Sequence, residues 1–269
     1  NDEIGYTGDV INEMTEGLKE RDRMRQSLGQ AMDVQQHLLP RRDPAVAGLH
    51  IAGKSIYCEE TGGDYFDYLE VGKSGQGKIK FVVGDFSHHG IPSALLMTTA
   101  RAYLRKRAAS PGGLNQIVAD FNRQIAPDVE ESGQFMTLFI CEIDSRNQSI
   151  RWVNAGHDPA VIFDPNNHGF DELSGHALPI GVSEKAAYQE YQRRIQPGQI
   201  ILIGTDGIWE SQNARHQMFG KKRVQDLIRA HAGEPAKDIL QSVITALDEF
   251  RHPLEKEDDV TLVVIKVEP

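Results

Sequence analysis

The run Phe81-Val82-Val83-Gly84-Asp85, continued by Phe86-Ser87-His88-His89-Gly90-Ile91-Pro92-Ser93-Ala94-Leu95-Leu96-Met97, constrains this chain more than any other stretch. An unbroken apolar series of β-branched and aromatic residues reads as a buried strand, and here it ends on a carboxylate. Gly90 closes a tight turn, and Pro92 is pre-set for the first turn of a helix. Asp85 is therefore delivered from a rigid strand end, beside a helix N-terminus, into a cleft. A single Asp so placed is ordinarily a turn or capping residue. The case for chemistry rests on whether other carboxylates are presented in the same way.

Three other sites repeat the pattern. Gly62-Gly63-Asp64 sets an Asp at a strand start, behind two glycines that let backbone or ligand approach closely. Ile200-Ile201-Leu202-Ile203-Gly204-Thr205-Asp206-Gly207 is again an apolar strand followed by Asp before Gly. Glu257-Asp258-Asp259-Val260-Thr261-Leu262-Val263-Val264-Ile265 reverses the order, with a carboxylate pair entering the strand. They read either as four independent turn residues or as one cluster. A cluster of ionised carboxylates without cations is costly, through repulsion and desolvation. Two divalent metals remove that conflict. Asp residues without a His/Cys cluster suit Mg²⁺ or Mn²⁺ rather than zinc.

The charge balance agrees. A formal net charge of −10 over 269 residues suits hard cations and opposes nonspecific binding to nucleic acid or anionic lipid. With no evident basic groove, it also disfavours a two-metal nuclease. Hydrophobic residues at 39% and charged residues at 25% mark a globular chain. No apolar run spans a bilayer and no signal peptide is evident. Cys58 and Cys141 are far apart, form no CxxC, and read as reduced core residues of a cytosolic protein.

Residues 1–40 read as a separate helical linker and 41–269 as the main domain. From Val10 to Leu39 the composition favours one long helix, with Met14, Leu18, Leu28, Met32 and Leu39 on a 3-4 seam interrupted by Arg21, Arg25 and Gln35. A short coiled coil and an ordinary amphipathic helix both fit. The chain opens on Asn1 in mid-pattern, as a fragment of a longer protein would.

In the main domain, strands are expected over 49–56, 64–71, 78–85, 135–144, 149–154, 160–163, 188–195, 199–204 and 260–267, and a turn over Gly72 to Gly77. Helices are expected over 91–108, 114–129, 223–232 and 236–250. Strands cluster and helices cluster, which predicts an α+β fold with antiparallel sheets covered by helix pairs.

Six motifs stand in order: Gly62-Gly63-Asp64-Tyr65-Phe66-Asp67, Gly84 through Met97, Asn154-Ala155-Gly156-His157, Leu178-Pro179-Ile180-Gly181, Thr205-Asp206-Gly207 and Asp258-Asp259-Val260-Thr261-Leu262. Together they resemble the PPM-type (protein phosphatase 2C-like) serine/threonine phosphatases, in the bacterial SpoIIE-like branch. The resemblance covers about residues 45 to 267 and implies an α-β-β-α sandwich with two Mn²⁺ or Mg²⁺ ions at one end. It implies that Asp85 bridges both metals, with the Phe86 carbonyl beside it. Asp64 would bind one metal, and Asp206 and Asp258 the other; Asp259 is the neighbour that sequence alone leaves open. Asp85 and Asp206 take the catalytic role. The chain departs from the pattern at His88, where relatives usually have Gly, at Phe86, commonly Val, and in the acidic stretch Tyr57-Cys58-Glu59-Glu60-Thr61.

The implied reaction is hydrolysis of phosphoserine or phosphothreonine by a metal-bridging water, with no Ser or Cys nucleophile. The implied substrate is a phosphorylated regulatory protein, such as an anti-sigma-factor antagonist in a partner-switching pathway. The alternative is a catalytically weak module of the same fold that binds a signalling partner. His88 and His89, candidate proton donors to the leaving group by proximity in sequence, read rather as turn or entrance residues, His157 as a corner residue, and Trp152 and Trp209 as core or domain-face aromatics. Arg101, Arg105 and Arg107 read as an exposed helix face, and Lys221-Lys222-Arg223 as a solvated helix start rather than a phosphate site. Asp2-Glu3-Ile4-Gly5 with Asn12-Glu13-Met14 resembles the end of a HAMP signal-relay domain. That implies the cytoplasmic output part of an inner-membrane sensor, dimeric through its N-terminal helix.

Overall fold

The computed structural model describes residues 2–59, 61–70, 77–88 and 90–268. The chain divides into two compact units, Asn1–Leu38 and Leu39–Pro269. The first is one helix, α1 (Asp2–Leu38). It starts earlier than propensity predicts and runs through Gly5 and Gly8. Glycine costs a helix roughly 1 kcal/mol, which cooperative extension of a long helix outweighs.

In the second unit, β1 (Leu49–Ile56), β2 (Tyr65–Glu70) and β3 (Lys78–Phe86) precede α2 (Ile91–Ala108) and α3 (Leu114–Val129). Then follow β4 (Met136–Asp144), β5 (Ser149–Ala155), β6 (Ala160–Asp164), β7 (Gly169–Leu173), β8 (Tyr191–Arg194) and β9 (Ile200–Gly204). The unit ends with α4 (Gly220–Ala230), α5 (Ala236–Arg251) and β10 (Val260–Val267). All named strand pairs are antiparallel, in two sheets ordered β1-β10-β9-β6-β7 and β2-β3-β4-β5-β8. Helices α2 and α3 pack on the second sheet, while α5 packs on β1 and β10 of the first and on α4. This is the expected α-β-β-α sandwich.

Strand parity builds the layers. On β10, Val263, Ile265 and Val267 point into the core shared with Phe81, Val83, Phe139 and Cys141, while Leu262 and Val264 point to α4 and α5. On β9, Ile201 and Ile203 face inward and Ile200 and Leu202 outward. Strands covered on both faces need apolar side chains at every position, hence the unbroken runs in the sequence. The outer layers are helix stripes: Met97, Ala100, Leu104, Ile117 and Phe121 on one side, Val224, Ile228, Ile239 and Val243 on the other.

The differences from expectation lie at the periphery. Strand β7 was not expected, because Gly-Phe-Asp-Glu-Leu lacks an apolar alternation and forms an exposed edge that only its hairpin with β6 holds. Strand β8, the other edge, is shorter than expected, and α4 begins at Gly220 rather than Arg223. The expected turn at 72–77 lies outside the described residues except for Gly77, as do His89 and Glu60.

Candidate metal centre and active site

The register of the second sheet sets the first two carboxylates opposite each other. Tyr65 pairs with Gly84, so Asp64 and Asp85 lie one step beyond, on neighbouring strand ends. In the first sheet, Leu262 pairs with Gly204, which brings Thr261 opposite Thr205 and delivers Asp206 at the same end of the sandwich. Thr205 joins the two sheets there. Its hydroxyl donates to Asp64 Oδ2 at 2.8 Å and accepts the Thr261 N–H at 3.0 Å.

Asp64 is fully buried, and burial first, then Asp85 and Asp259, push its carboxyl well above the usual range. Asp85 is pushed up to about 8 by burial, then by Asp206, Asp258 and Asp259. Asp206 is raised by burial and by Asp258 and Asp158. These carboxylates therefore sit in one another's fields, although among the described residues no three His, Cys, Asp or Glu side chains already converge on a common metal position. The donor chemistry fits hard divalent cations: an all-oxygen set carries negative charge that burial penalises and that a cation would relieve.

Asp85 and Asp206 line a cavity of about 270 Å³ together with Thr137, Gly156, His157 and Asp158. Asp258 lines a different cavity, of about 200 Å³, with Gly207, Glu210 and Arg251. The pair left open by the sequence is separated by burial. Asp259 is buried, its Oδ1 accepting the Cys58 N–H and its Oδ2 the Gly63 N–H, both at 2.9 Å. Asp258 is exposed and accepts the Asp259 N–H at 2.8 Å. Two glycines make room for this packing. A Cβ on Gly62 would fall 2.2 Å from Asp259 Oδ2, and one on Gly207 would fall 2.0 Å from the Asp259 carbonyl.

The turn after β3 carries the Phe86 carbonyl past Gly63, where a Cβ would stand 3.1 Å from that oxygen. Ser87 holds the turn, its N–H donating to the Phe135 carbonyl at 2.9 Å. His88 has φ 68° and is exposed. That left-handed backbone is the one glycine adopts freely, so the turn keeps a glycine-like shape despite the departure from the family pattern.

His157 is held by Asn154, whose amide nitrogen donates to the His157 carbonyl at 2.8 Å and whose Oδ1 accepts the His157 N–H at 2.9 Å. Its Nδ1 lies 2.8 Å from the Thr137 hydroxyl. Burial lowers the imidazole to about 4, which keeps it neutral at pH 7 and suits the corner role.

Three expectations are corrected. Arg101, Arg105 and Arg107 are more than an exposed face: Arg105 is exposed and the other two half-buried, and all three are paired. Arg105 Nη1 donates to both oxygens of buried Asp67, at 2.8 and 2.6 Å, Arg101 Nε lies 4.0 Å from Asp67, and Arg107 Nε pairs with Asp120 at 2.6 Å. A carboxylate buried beneath a helix needs such partners, and helical periodicity does not reveal them. Trp209 is more than a core aromatic, because its indole N–H donates to Asp158 Oδ2 at 2.6 Å. Lys221 is more than a solvated residue: its Nζ binds Asp158 Oδ1 at 2.7 Å and lies 5.1 Å from the Trp209 ring centroid. Asp158 itself had not been singled out. Its one sequence signal was its place after the Asn154-Ala155-Gly156-His157 motif.

The family model described as "Stage II sporulation protein E (SpoIIE)" matches residues 75–268. The chain is 24% identical over 236 residues to "Phosphoserine phosphatase RsbU" of Bacillus subtilis (strain 168), covering 88% of this chain and 68% of that protein. It is 26% identical over 213 residues to "Phosphoserine phosphatase RsbP" of the same organism, covering 77% of this chain and 50% of that protein. Among solved structures, the "SiaA-PP2C domain of Pseudomonas aeruginosa" has TM-score 0.80 at 22% identity, over 91% of this chain and 98% of that one. RsbX "in complex with magnesium" has TM-score 0.60 at 13% identity, over 82% of this chain and 96% of that one. At these identities the structural likenesses bear on fold alone. With its family match spanning most of the sequence, this chain belongs to the SpoIIE family and has the fold of PP2C-type phosphatase domains.

Proposed function

We propose that the chain is a metal-dependent protein phosphatase that hydrolyses phosphoserine or phosphothreonine on a regulatory protein, with an anti-sigma-factor antagonist as the substrate class. The observation that carries this reading is the convergence of Asp64, Asp85 and Asp206 at one end of the sandwich, each raised by burial and by its acidic neighbours. Two Mn²⁺ or Mg²⁺ ions, when bound, supply activation of water and neutralise charge on the phosphoryl oxygens. Asp85, which lies in the fields of Asp206 and Asp258 and meets Asp64, would hold both ions. Asp64 is assigned to one ion, Asp206 and Asp258 to the other, and the Phe86 carbonyl supplies a backbone oxygen.

The protein's own work is to hold these oxygens before substrate arrives. Strand ends fix Asp64 and Asp85, Thr205 orients the Asp64 carboxylate, and Asp259 shapes the loop at Cys58 and Gly63. Such preorganisation lowers the reorganisation needed during phosphoryl transfer. His157, neutral and hydrogen-bonded, keeps the wall of the cavity in place.

The test is Mn²⁺-dependent phosphate release from a phosphoserine protein. Asp85→Asn is expected to lower kcat/KM by at least about a hundredfold. Hydrolysis that ignores metal, or survives in Asp85→Asn, overturns the assignment. Metal binding without hydrolysis favours a partner-binding module instead.

We also propose that α1 is a signalling linker that dimerises and belongs to the cytoplasmic side of an inner-membrane sensor. Its support is sequence resemblance to a HAMP terminus and the exposure of Ile11, Met14, Leu18 and Met24 on the helix. No described helix is long and apolar enough to cross a membrane.

A further inference from the structure

The cavity holding Asp85 and Asp206 presents a problem for a phosphatase. Its lining side chains comprise three carboxylates, a threonine and a neutral histidine, while a phosphomonoester arrives as an anion. Metal ions neutralise the carboxylates that bind them. Asp158 stands on the same wall with both oxygens committed elsewhere, Oδ2 to Trp209 and Oδ1 to Lys221.

Lys221 does not itself line the cavity, but it is a positive charge tied to this wall through Asp158. It sits in the first turn of α4, and two contacts hold it: the Asp158 carboxylate at 2.7 Å and the Trp209 ring face, 5.1 Å to the centroid. Trp209 also fixes Asp158, so the three side chains form one closed unit. A lysine ammonium has three donors, and Asp158 takes one. The side chain as a whole remains 40% exposed. An ammonium tethered in this way loses less conformational freedom on meeting an anion than a free surface lysine does.

We propose that Lys221, anchored by Asp158 and Trp209 at the wall of the Asp85–Asp206 cavity, is a specificity-determining residue that binds the phosphoryl oxygens of the substrate. Asp158 and Trp209 act through it as positioning residues. The inference rests on the phosphatase reading above and deepens it. The role asks for a charge-assisted hydrogen bond made on binding and kept through the reaction, so its effect falls on KM more than on kcat.

The experiment compares wild type, Lys221→Ala and Lys221→Arg in Mn²⁺, using a phosphoserine peptide as substrate and inorganic phosphate as competitive inhibitor. Lys221→Ala is expected to raise KM and the inhibition constant for phosphate each about tenfold, with kcat falling less than about threefold. Lys221→Arg is expected to recover most of both, and thermal midpoints to stay together. If phosphate inhibits wild type and Lys221→Ala equally, the proposal is overturned. A KM change without a phosphate effect also overturns it, assigning Lys221 instead to acidic residues of the peptide. If the wild type shows no metal-dependent hydrolysis, the phosphatase reading falls by itself. Calorimetric titration of inorganic phosphate into wild type and Lys221→Ala then decides the inference, and equal binding overturns it.

Discussion

Asp258 and Asp259 are adjacent, chemically identical and differently employed. Asp259 is an internal acceptor whose two oxygens satisfy backbone amides at Cys58 and Gly63. Asparagine there would turn an NH₂ toward an N–H donor, so Asp259→Asn is expected to cost about 2 kcal/mol of folding stability, read by urea denaturation of metal-free protein. Asp258 is exposed beside Gly207, and Asp258→Asn is expected to leave that stability within about 0.5 kcal/mol while weakening Mn²⁺ binding in calorimetry. The reverse pattern would exchange the two assignments. Thr205 shows the same division of labour, since one hydroxyl oxygen serves Asp64 in one sheet and Thr261 in the other.

At the scale of elements, α2 is fastened to the strand that leads away from Asp64. Its residues Arg101 and Arg105 reach Asp67 on β2, the strand that Asp64 precedes, and the Tyr65 hydroxyl donates to the same carboxylate at 3.0 Å. Because Asp67 is buried, these contacts fix α2 against β2 more firmly than a surface ion pair would. The helix α1 is different: Ile11, Met14, Leu18 and Met24 are exposed along about 20 Å of its length of about 55 Å. If α1 dimerises through this seam, Leu18→Lys is expected to shift the protein toward monomer in sedimentation equilibrium. An unchanged mass would refute dimerisation through α1.

For the whole molecule, the carboxylate cluster makes stability depend on pH and on metal. Asp85 is about 8 when folded against an ordinary unfolded value of 3.8, so the folded state binds the proton more tightly. Its stabilising contribution is present below about pH 4 and is lost as pH rises toward 8. In chelator, Asp85→Asn is thus expected to be more stable than wild type at pH 8, by on the order of a few kcal/mol. The advantage should vanish toward pH 4, as measured by denaturant titrations across that range. A constant difference would contradict this coupling. Much of the architecture was legible in the chain itself: β1, α2, α3 and β10 fall within the expected bounds. Strands buried on both faces must be continuously apolar, and glycine beside Asp marks where backbone approaches a carboxylate. The edges β7 and β8 were less legible, because exposed strands carry little apolar signal. The pairing of Arg105 with Asp67, the different burial of Asp258 and Asp259, and the union of Asp158, Trp209 and Lys221 were decided by tertiary structure alone. Those contacts join residues far apart in the chain, or neighbours that differ in burial, and local sequence encodes neither. Sequence determined the sandwich and where along the chain its carboxylates stand; three-dimensional packing determined which of them face the cavity and which cation stands beside them.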